Sequence, residues 1–536
     1  MKYTLKIMTN RNVIKNVLIS VSDTSNIIEF SKSLISKNIK LFATKGTANF
    51  LKKNNIYATD ITNYTNFPEI MNGRIKTLHH KIYASILAQP KHDKKTIEKY
   101  NIILMDIVVI NFYPFEEASN NTNLHLNDII EHIDIGGPAI VRAAAKNYKN
   151  VLVVTQPNLY QSIVNEMNLN NNIISETTKL KFATIAFKHT MNYDNNIYQY
   201  LSKKNKTVPK NTQLQTLLPS HLTINFKKKQ DLCYGENKQQ QASWYTNTSK
   251  NTSGRMKIKQ LQGKILSYNN LSDIHLALSC IHEFNKTTCA IIKHGNPCGV
   301  ATAKNNDQAY KLAYETDPIS AFGGIIVFNQ KLNDVTARKI IKTQFSEIIL
   351  APDFTQEAKK IFDKKPNLRI IKYDPNYNYL NYNIDIKSIY GDILVQSNTN
   401  SIININQWDI VSKKRPNEQE INDAKFALRV VKHLKSNSIV LIKNQITISI
   451  GSGQTSRIDA TKIAIYKANN NNISLNHTTL ASDAFFPFSD SIDLISKSGI
   501  TCIVQPGGSI RDNEIIMSAN KYNISMIFTK QRYFKH

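Results

Sequence analysis

Short apolar runs alternate with amphipathic stretches over about the first 200 residues of the chain. Runs of this kind predict buried strands, and the stretches between them, with apolar residues at helical spacing, predict helices. The predicted strands are residues 18–21, 39–43, 102–110 and 151–154, and the predicted helices are residues 26–37 (capped by Asp23, Thr24 or Ser25), 46–54 and 139–147. This alternation is typical of an α/β domain in which helices cover a parallel sheet.

The pattern changes between residues 201 and 220, where the chain becomes polar and aperiodic. Such a segment predicts a linker. Beyond it, apolar runs end in turn-forming residues in five places: residues 289–299, 317–328, 438–443, 448–454 and 502–512. We therefore predict a first domain over residues 1–200, a linker over 201–220, and a second α/β region over 221–536 that holds two further sheets. No repeat of 20 to 50 residues is visible.

The stretch from residue 289 to residue 299 reads C-A-I-I-K-H-G-N-P-C-G. Its apolar start predicts a buried strand, and Lys293 and His294 stand at the end of that strand. A loop there can turn both side chains into one cleft, at the carboxyl end of a parallel strand, where open sheets place their ligands. Histidine is suited to base catalysis near neutral pH. The alternative, equally weighted on this stretch alone, is a basic pair that only caps the strand.

Composition narrows the class of protein. A hydrophobic content of 41% and a charged content of 20% are typical of a globular chain. The polar N-terminus lacks the apolar core of a signal peptide, no apolar run approaches a membrane span, and five cysteines without a C-x-x-C pair indicate a reducing, cytoplasmic compartment. The expectation is a cytoplasmic protein with no membrane partner.

The formal net charge of +28 is the feature that favours nucleic-acid binding. The basic residues are 57 Lys and 11 Arg, however, and they are scattered rather than gathered in one stripe. We therefore expect no nucleic-acid partner and keep a basic nucleic-acid-binding protein as the least favoured reading. Anionic small substrates benefit from the same positive field.

Several segments of the first region suit an anionic ligand. S-V-S-D (residues 20–23) and A-T-K-G-T (residues 43–47) each join a strand to a helix start, where free N–H groups and hydroxyls can bind phosphate or simply cap the helix. G-R-I-K-T-L-H (residues 73–79) adds two basic side chains two residues apart. Asp134 precedes a Gly-Gly turn, and Lys146 follows one helix later.

A zinc nucleobase deaminase is the competing enzyme class for the second region. That chemistry needs a Cys-x-x-Cys after a proline and an upstream His-x-Glu. Pro297-Cys298 is followed three residues later by Ala301, and His282-Glu283 has no spacer. We expect no catalytic metal. The phenylalanines of residues 485–488 suit core packing, or one wall of a site for a flat heteroaromatic ligand.

In this order, these motifs resemble a family of bifunctional purine-biosynthesis enzymes, from about residue 18 to residue 536. That family pairs a transformylase, which acts on aminoimidazole carboxamide ribotide (AICAR), with an inosine monophosphate (IMP) cyclohydrolase. The resemblance implies an N-terminal domain similar to methylglyoxal synthase and two cytidine-deaminase-like domains without zinc. It also implies 10-formyltetrahydrofolate as co-substrate and a homodimer with transformylase sites at the subunit interface.

The resemblance also implies roles for individual residues. In the transformylase, His294 would be the general base and Lys293 would stabilise the developing charge. The residues that match nucleotide-holding positions are Tyr234, Asp317, Asn437, Arg457, Phe485 and Arg532, and those on the folate side are Ile458, Ser509 and Ile510.

The cyclohydrolase residues are implied in the same way. Those that match phosphate and base contacts are Ser22, Thr44, Gly46, Thr47, Arg74, Lys76 and Thr77. Asn111, Tyr113 and Asp134 match groups around the closing ring, and Lys146 matches the proton donor and acceptor. Ring closure needs a deprotonated amide nitrogen and an expelled hydroxyl, which a carboxylate and an ammonium in one cleft can provide.

The chain departs from the family's pattern at several positions. Thr24 replaces a phosphate-facing lysine, Lys45 adds a cation in the next loop, and Cys233 and Gln239 replace an arginine and a histidine in the family's R-Y-G-E-N-x-H-Q. The C-terminal R-H-F-R-H reads R-Y-F-K-H here. These departures leave a cyclohydrolase-only enzyme as the second interpretation.

Overall fold

The computed structural model describes residues 13–71, 73–121, 123–204, 218, 222–247, 256–377, 384–397 and 403–536. The chain forms two compact units, Met1–Gln213 and Leu214–His536. Within the described residues, no helix is long and apolar enough to cross a membrane.

The first unit is built on a five-stranded sheet in which every pairing is parallel. Its strands are β1 (Asn16–Ser20), β2 (Lys40–Ala43), β3 (Thr59–Asp60), β4 (Ile107–Ile110) and β5 (Leu152–Val154). Their order is β3-β2-β1-β4-β5. The predicted parallel α/β sheet is therefore confirmed, and the chain reverses its direction of winding between β1 and β4.

Ten α-helices accompany this sheet among the described residues. They are α1 (Ile27–Ile35), α2 (Lys45–Lys53), α3 (Ile61–Thr65), α4 (His80–Leu87), α5 (Lys94–Lys99), α6 (Phe115–Asn120), α7 (Leu126–Glu131), α8 (Gly136–Lys146), α9 (Tyr160–Leu169) and α10 (Glu176–Lys204). Helix α10 continues four residues into the predicted linker. Most of the rest of that linker lies outside the described residues.

The central strand shows why helices cover both faces of the sheet. Leu18 packs into one apolar cluster, whereas Val17 and Ile19 pack into another on the opposite face. All three side chains are fully buried. Successive side chains of a strand point to opposite faces, so an uninterrupted apolar run requires a cover on both sides.

Two details of the predicted elements were wrong. The first helix is capped at Asn26, in the left-handed region, and not at residues 23–25. The strand predicted over residues 102–110 is formed only from Ile107, because Asp106 accepts hydrogen bonds from the backbone of Lys15 and Asn16. A carboxylate with these partners holds the start of β1 and interrupts the apolar run.

The second unit contains one continuous twelve-stranded sheet and two separate two-stranded sheets. The large sheet comprises β8 (Ile258–Gln262), β9 (Thr288–Lys293), β10 (Asn296–Thr302), β11 (Ile325–Phe328), β12 (Ile348–Ala351), β13 (Arg369–Tyr373), β16 (Asp409–Ile410), β17 (Ile439–Lys443), β18 (Ile446–Gly451), β19 (Thr478–Ser482), β20 (Ile500–Gln505) and β21 (Ser525–Phe528). The small sheets pair β6 (Phe226–Leu232) with β7 (Ala242–Asn247) and β14 (Ile384–Ile389) with β15 (Asp392–Ser397). The expectation of two further large sheets was therefore wrong.

The helices of this unit pack on the large sheet. They are α11 (Tyr268–Ile281), α12 (Asn306–Thr316), α13 (Pro318–Ala321), α14 (Asp334–Thr343), α15 (Gln356–Phe362), α16 (Glu418–Val431), α17 (Arg457–Asn470), α18 (Asp490–Ser496) and α19 (Asp512–Lys521).

The twelve strands fall into two halves of identical topology. Their order is β16-β21-β20-β19-β17-β18 followed by β10-β9-β11-β12-β13-β8, so each strand has a counterpart at the same distance from the centre. Each half contains an antiparallel hairpin, β9–β10 or β17–β18, then an antiparallel pairing with the next strand, two parallel pairings and an antiparallel edge strand. The halves meet where β10 pairs antiparallel with β18. The second unit is therefore an internal duplication.

Candidate active sites

In the first unit, the loops that follow β1 and β4 are tied together by Asn111. Its side-chain oxygen accepts hydrogen bonds from the backbone N–H groups of Ser22 (2.6 Å) and Asp23 (2.9 Å). The Ser22 hydroxyl donates to the carbonyl of Phe112 at 2.6 Å. The structure thus brings Ser22 and Asn111 together at the point where the strand order reverses, where open α/β sheets bind their ligands.

The loop after β2 lies against the same point. The Thr47 hydroxyl accepts a hydrogen bond from the backbone of Val21 at 3.1 Å, and the Thr44 hydroxyl contacts that of Ser20 at 3.1 Å. Thr44 is the N-cap of α2, but its side chain does not cap the helix. Gly46 is exposed in the first turn of α2, where backbone N–H groups have no partner within the helix. This arrangement suits an anion.

Lys76, Tyr113 and Asp134 form a charged cluster. The Lys76 ammonium donates to the Tyr113 hydroxyl at 3.1 Å, and Asp134 accepts a hydrogen bond from the backbone of Gly137 at 2.8 Å. Burial raises the pKa of Asp134, and this outweighs the lowering by the Gly137 N–H, the Lys76 charge and the Tyr113 backbone. Asp134 thus has a raised pKa, which suits a general base, although the nearby ammonium of Lys76 acts against that rise.

Thr77 and Arg74 lie on the segment that carries Lys76. Thr77 is buried, and its hydroxyl lies 2.6 Å from the position that a Cβ on Gly136 would occupy, so the start of α8 needs a glycine there. Arg74 is exposed, and its Nε donates to the carbonyl of Met71 and lies 3.9 Å from Glu131. At this exposure, such an ion pair leaves the guanidinium available to a ligand.

Lys146 lies apart from this cluster. It is the last residue of α8, whereas Asp134 precedes the helix's first residue, Gly136. At a rise of 1.5 Å per residue, the two ends of α8 are about 15 Å apart. The structure shows no direct contact between Asp134 and Lys146, so a shared cleft for these two side chains stays a prediction, and Lys76 is the ammonium whose charge acts on Asp134.

In the second unit, Lys293 and His294 stand at the tip of the β9–β10 hairpin. The strand before them is present as predicted, but its neighbours β10 and β11 are both antiparallel to it. The expected loop is a two-residue turn in which His294 (φ 52°) and Gly295 (φ 74°) both have left-handed backbones. This turn geometry matches the right-handed twist of the strands.

Lys293, His294 and Asp317 line one cavity of about 290 Å³. Its wall also includes Ser320 and Lys467, which the sequence analysis did not identify. The Lys293 ammonium donates to the carbonyl of Phe322 at 2.6 Å. A lysine and a histidine at adjacent positions therefore face one cavity, because the second of them belongs to the turn.

Asp317 is held by several donors in this cavity. Lys467 donates to it at 2.9 Å, and Ser320 donates through both its backbone (3.0 Å) and its hydroxyl (2.7 Å). Burial acts to raise the pKa of Asp317, but these hydrogen bonds outweigh it, and the pKa is lowered. Asp317 is thus an ionised acceptor.

Most of the other predicted residues of this unit lie along one edge of the large sheet. Strands β19, β20 and β21 are parallel, so the segments after them meet at the same edge. The residues there are Phe485 after β19, Ser509 and Ile510 after β20, and Arg532 after β21. The antiparallel steps from β19 to β9 bring the His294 tip to this edge too. These residues and the His294 tip form a row along the sheet edge. From β9 to β21 this row spans on the order of 30 Å.

Asn437 and Arg457 lie in the middle of this row and contact each other. Arg457 is buried and donates to the Asn437 side chain at 2.7 Å, and it also contacts Ser482 and the fully buried Asp483. Ile458 is the second residue of α17, directly after Arg457, and is half-buried. Arg457 therefore neutralises a buried carboxylate as well as facing the row.

The three phenylalanines after Asp483 differ in burial. Phe486 is fully buried in the core, whereas Phe485 and Phe488 are exposed, by 36% and 48%. Core packing is therefore confirmed for Phe486, and a role for the exposed Phe485 as one wall of a ligand site stays a prediction. Arg532 lies over the ring of Phe534, 4.6 Å from its centroid.

Tyr234 lies outside the row, in the loop of the β6–β7 hairpin, beside the exposed Cys233. The carbonyl of Glu236 in that loop accepts a hydrogen bond from Asn269 of α11 at 3.2 Å. Gln239 is exposed in the same loop.

Three comparisons place the chain among known proteins. The family model described as the AICARFT/IMPCHase bienzyme matches residues 144–467, and that of the MGS-like domain matches residues 26–139. Bifunctional purine biosynthesis protein PurH of Buchnera aphidicola subsp. Schizaphis graminum is 48% identical over 99% of this chain and 100% of the relative's length. The PurH of Buchnera aphidicola subsp. Acyrthosiphon pisum, strain Tuc7, is 47% identical, with the same shares covered. The crystal structure of ForH matches 35% of this chain and all of that chain at 26% identity, with a TM-score of 0.32.

Proposed function

The chain belongs to the AICARFT/IMPCHase bienzyme family, and from that premise we propose how its residues divide the two reactions. It is a bifunctional enzyme of purine biosynthesis, an AICAR transformylase and IMP cyclohydrolase. We assign the transformylase to residues 221–536 and the cyclohydrolase to residues 1–200.

His294 is the proposed general base of formyl transfer. The observation that carries this proposal is the cavity that it lines together with Lys293 and Asp317. His294 takes the proton from the AICAR amine as the nitrogen attacks the formyl carbon of 10-formyltetrahydrofolate. The bond between that carbon and N10 of the folate then breaks, and tetrahydrofolate leaves with a proton on N10. Lys293 stabilises the negative charge that develops on the formyl oxygen, as a fixed cation does in a partly buried site.

The nucleotide is proposed to bind along the neighbouring sheet edge. Asn437 and Arg457 offer amide and guanidinium donors, and Phe485 offers an exposed ring for a flat heterocycle. Asp317, Tyr234 and Arg532 complete the proposed set.

The formyl donor is proposed to be 10-formyltetrahydrofolate, since transformylases of this family imply a formyl-folate co-substrate. Ile458, Ser509 and Ile510 are its proposed contacts. Ile510 is fully exposed, so its side chain is free to cover an apolar ring. No catalytic metal is part of the proposal.

Asp134 is the proposed base of ring closure. It removes a proton from the carboxamide nitrogen, which attacks the formyl carbon, and the oxygen of that carbon leaves as water. Lys76 and Tyr113 are the neighbouring donors for that oxygen. Lys146 keeps its proposed role as proton donor and acceptor, and the length of α8 favours a site to which a second copy of the chain contributes it.

The phosphate is proposed to bind where the loops after β1 and β2 meet. Ser22, Thr44, Gly46 and Thr47 offer hydroxyls and backbone N–H groups there. Arg74 offers an exposed guanidinium, and Thr77 and Asn111 complete the set.

We propose a cytoplasmic homodimer that binds small molecules, with no nucleic-acid or membrane partner, and two cytidine-deaminase-like halves without zinc in the second unit. The duplicated sheet supports the two halves. The exposed β14–β15 hairpin supports the dimer, because an isolated two-stranded sheet is only marginally stable in water.

The test follows both products of the full chain supplied with AICAR and 10-formyltetrahydrofolate. The expected result is release of tetrahydrofolate together with formation of IMP. A cyclohydrolase-only enzyme would release no tetrahydrofolate but would convert supplied formyl-AICAR to IMP.

Mixing Asp134→Asn with Lys146→Ala protein tests whether a second copy of the chain supplies Lys146, since mixed dimers would regain cyclohydrolase activity that neither variant has alone.

A further inference from the structure

The turn that carries His294 is held from outside the hairpin by Asp273. This carboxylate, on helix α11, accepts a hydrogen bond from the backbone N–H of Gly295 at 2.8 Å, and the N–H of His294 donates to it as well. Without a partner, these two N–H groups would be unpaired at a turn whose left-handed backbone is uncommon for a histidine. Burial raises the pKa of Asp273, although both N–H groups and the charge of His294 act to lower it.

The other half of the large sheet contains the same arrangement of a carboxylate and a turn, but its turn has no histidine. Asp423, on helix α16, accepts hydrogen bonds from the backbone N–H groups of Asn444 (2.9 Å) and Gln445 (2.7 Å). Those two residues form the β17–β18 turn and are also left-handed, with φ of 56° and 59°. Asp423 lies 150 residues after Asp273, and Asn444 lies 150 residues after His294. The carboxylate thus belongs to the fold of the turn, and only the turn residues differ in chemistry.

The two turns lie at opposite ends of the central strands. The backbone of Thr302, the last residue of β10, donates to the carbonyl of Gln445, whereas His294 precedes the first residue of β10. A strand of seven residues spans about 20 Å, so the second turn is remote from the cavity that His294 lines.

We propose that Asp273 is a positioning residue for formyl transfer, which fixes the backbone of the turn so that the His294 imidazole faces the cavity. This inference rests on the proposed role of His294 as general base. Asp273 does not line the cavity with the other residues named above, so it acts through His294 rather than on the substrate.

The experiment compares Asp273→Asn with the matched control Asp423→Asn in the full-length enzyme. Asparagine keeps the shape but has one acceptor oxygen in place of two, so one N–H of the turn then faces an NH₂ group. We expect Asp273→Asn to lower the kcat of formyl transfer about 10- to 100-fold, the cost of a small displacement of a reacting group. The KM for AICAR should stay within about twofold. Asp423→Asn should leave kcat within about twofold, and both variants should close supplied formyl-AICAR to IMP at the normal rate.

A double-mutant cycle separates positioning from general damage. In a His294→Ala background, Asp273→Asn should cause no further loss, because the residue it positions is gone. An equal loss of kcat in both Asp→Asn variants, or a full further loss in the His294→Ala background, would overturn the proposal. If Asp273→Asn does not fold, Asp273→Glu serves instead, and a normal kcat in that variant would also overturn it. Normal formyl transfer by His294→Ala alone would instead reject the proposed base.

Discussion

At the scale of single residues, the two candidate sites hold their proposed bases differently. Asp134 is half-buried beside Lys76 and Tyr113, and burial raises its pKa. His294 is exposed at the tip of a turn, and its orientation depends on backbone hydrogen bonds rather than on burial. The cyclohydrolase base is therefore sensitive to nearby charge, and the transformylase base to the geometry of its hairpin.

The raised pKa of Asp134 predicts the pH dependence of ring closure. The carboxylate acts as a base only when ionised, so the rate should fall as the pH falls through that raised pKa. The charge of Lys76 lowers this pKa, so Lys76→Met should raise it further and move the acid limb of the pH–rate profile to higher pH. Rates of IMP formation from formyl-AICAR across the pH range measure the shift. Lys99→Met removes an exposed lysine that is not among the charges acting on Asp134 and should leave the limb in place. An unmoved limb in Lys76→Met would contradict the assignment.

Cys233 offers a second prediction at this scale. If this position faces the substrate phosphate, Cys233→Arg adds a charge-assisted hydrogen bond worth about 1.5–3 kcal/mol. The KM for AICAR should then fall roughly 10- to 100-fold, with kcat nearly unchanged. Steady-state kinetics of formyl transfer measure both constants. Cys233→Met adds length without charge and should leave KM unchanged, and an equal effect of both substitutions would show that the exposed loop does not meet the phosphate.

Residues with chemically distinctive neighbours could be predicted from the sequence, whereas residues that act through the fold could not. Lys293, His294 and Asp317 stand in turn-rich motifs and do line one cavity. Asp273 stands in the middle of α11 and Lys467 in the last turn of α17. Only the packing of these helices brings Asp273 to the hairpin turn and Lys467 to Asp317. Asp134 and Lys146 show the converse difficulty. They belong to one sequence motif, but the structure places them at the two ends of helix α8.

At the scale of elements, the hairpin is where the sequence interpretation was least accurate. The motif G-N-P-C-G resembles a loop by composition, yet residues 296–302 form β10. The strand tolerates Pro297 because the pairing of β10 with β9 has an irregularity at that position. Residues 296–302 form a strand because they pair antiparallel with β9 and β18. The local composition of the motif does not indicate this pairing.

Gly299 predicts how closely this hairpin packs against its helix. A Cβ at this position would lie 1.9 Å from the backbone carbonyl oxygen of Ala313 on α12. Gly299→Ala should therefore force the helix away from the sheet and cost about 3 kcal/mol or more of folding stability, the upper part of the range for overpacking. Thermal unfolding of the second unit measures the loss. Gly391→Ala is the matched control, since nothing lies within 4 Å of its added Cβ, and equal unfolding temperatures for the two variants would contradict the packing argument.

At the scale of the whole molecule, the two halves of the large sheet share a topology but not the predicted residues, most of which lie along one edge. The two hairpins and their helices are equivalent in topology, but one turn contains His294-Gly295 and the other Asn444-Gln445. The repeats of solenoids and propellers recur every 20 to 50 residues, and the spacing of 150 residues between equivalent positions here lies far outside that range. Few of these positions have identical residues, so the repeat is visible mainly in the strand order.

The division of the chain into two units predicts that the cyclohydrolase is separable. A chain that ends near Ser220 retains the whole five-stranded sheet and its helices, so it should fold alone and convert formyl-AICAR to IMP without folate. Circular dichroism and the rate of IMP formation, with the full chain as control, check the two parts of the prediction. A folded but inactive fragment would show that the cyclohydrolase needs residues from the second unit.

The most direct test of the account is a paired assay of His294→Ala and Asp134→Asn in the full chain, with tetrahydrofolate release and IMP formation followed separately. His294→Ala should lower formyl transfer roughly 10²- to 10⁴-fold, the usual effect of removing a general base, and should still close supplied formyl-AICAR to IMP. Asp134→Asn should release tetrahydrofolate at the normal initial rate and form almost no IMP. Loss of both activities in either variant would contradict the assignment of one reaction to each unit.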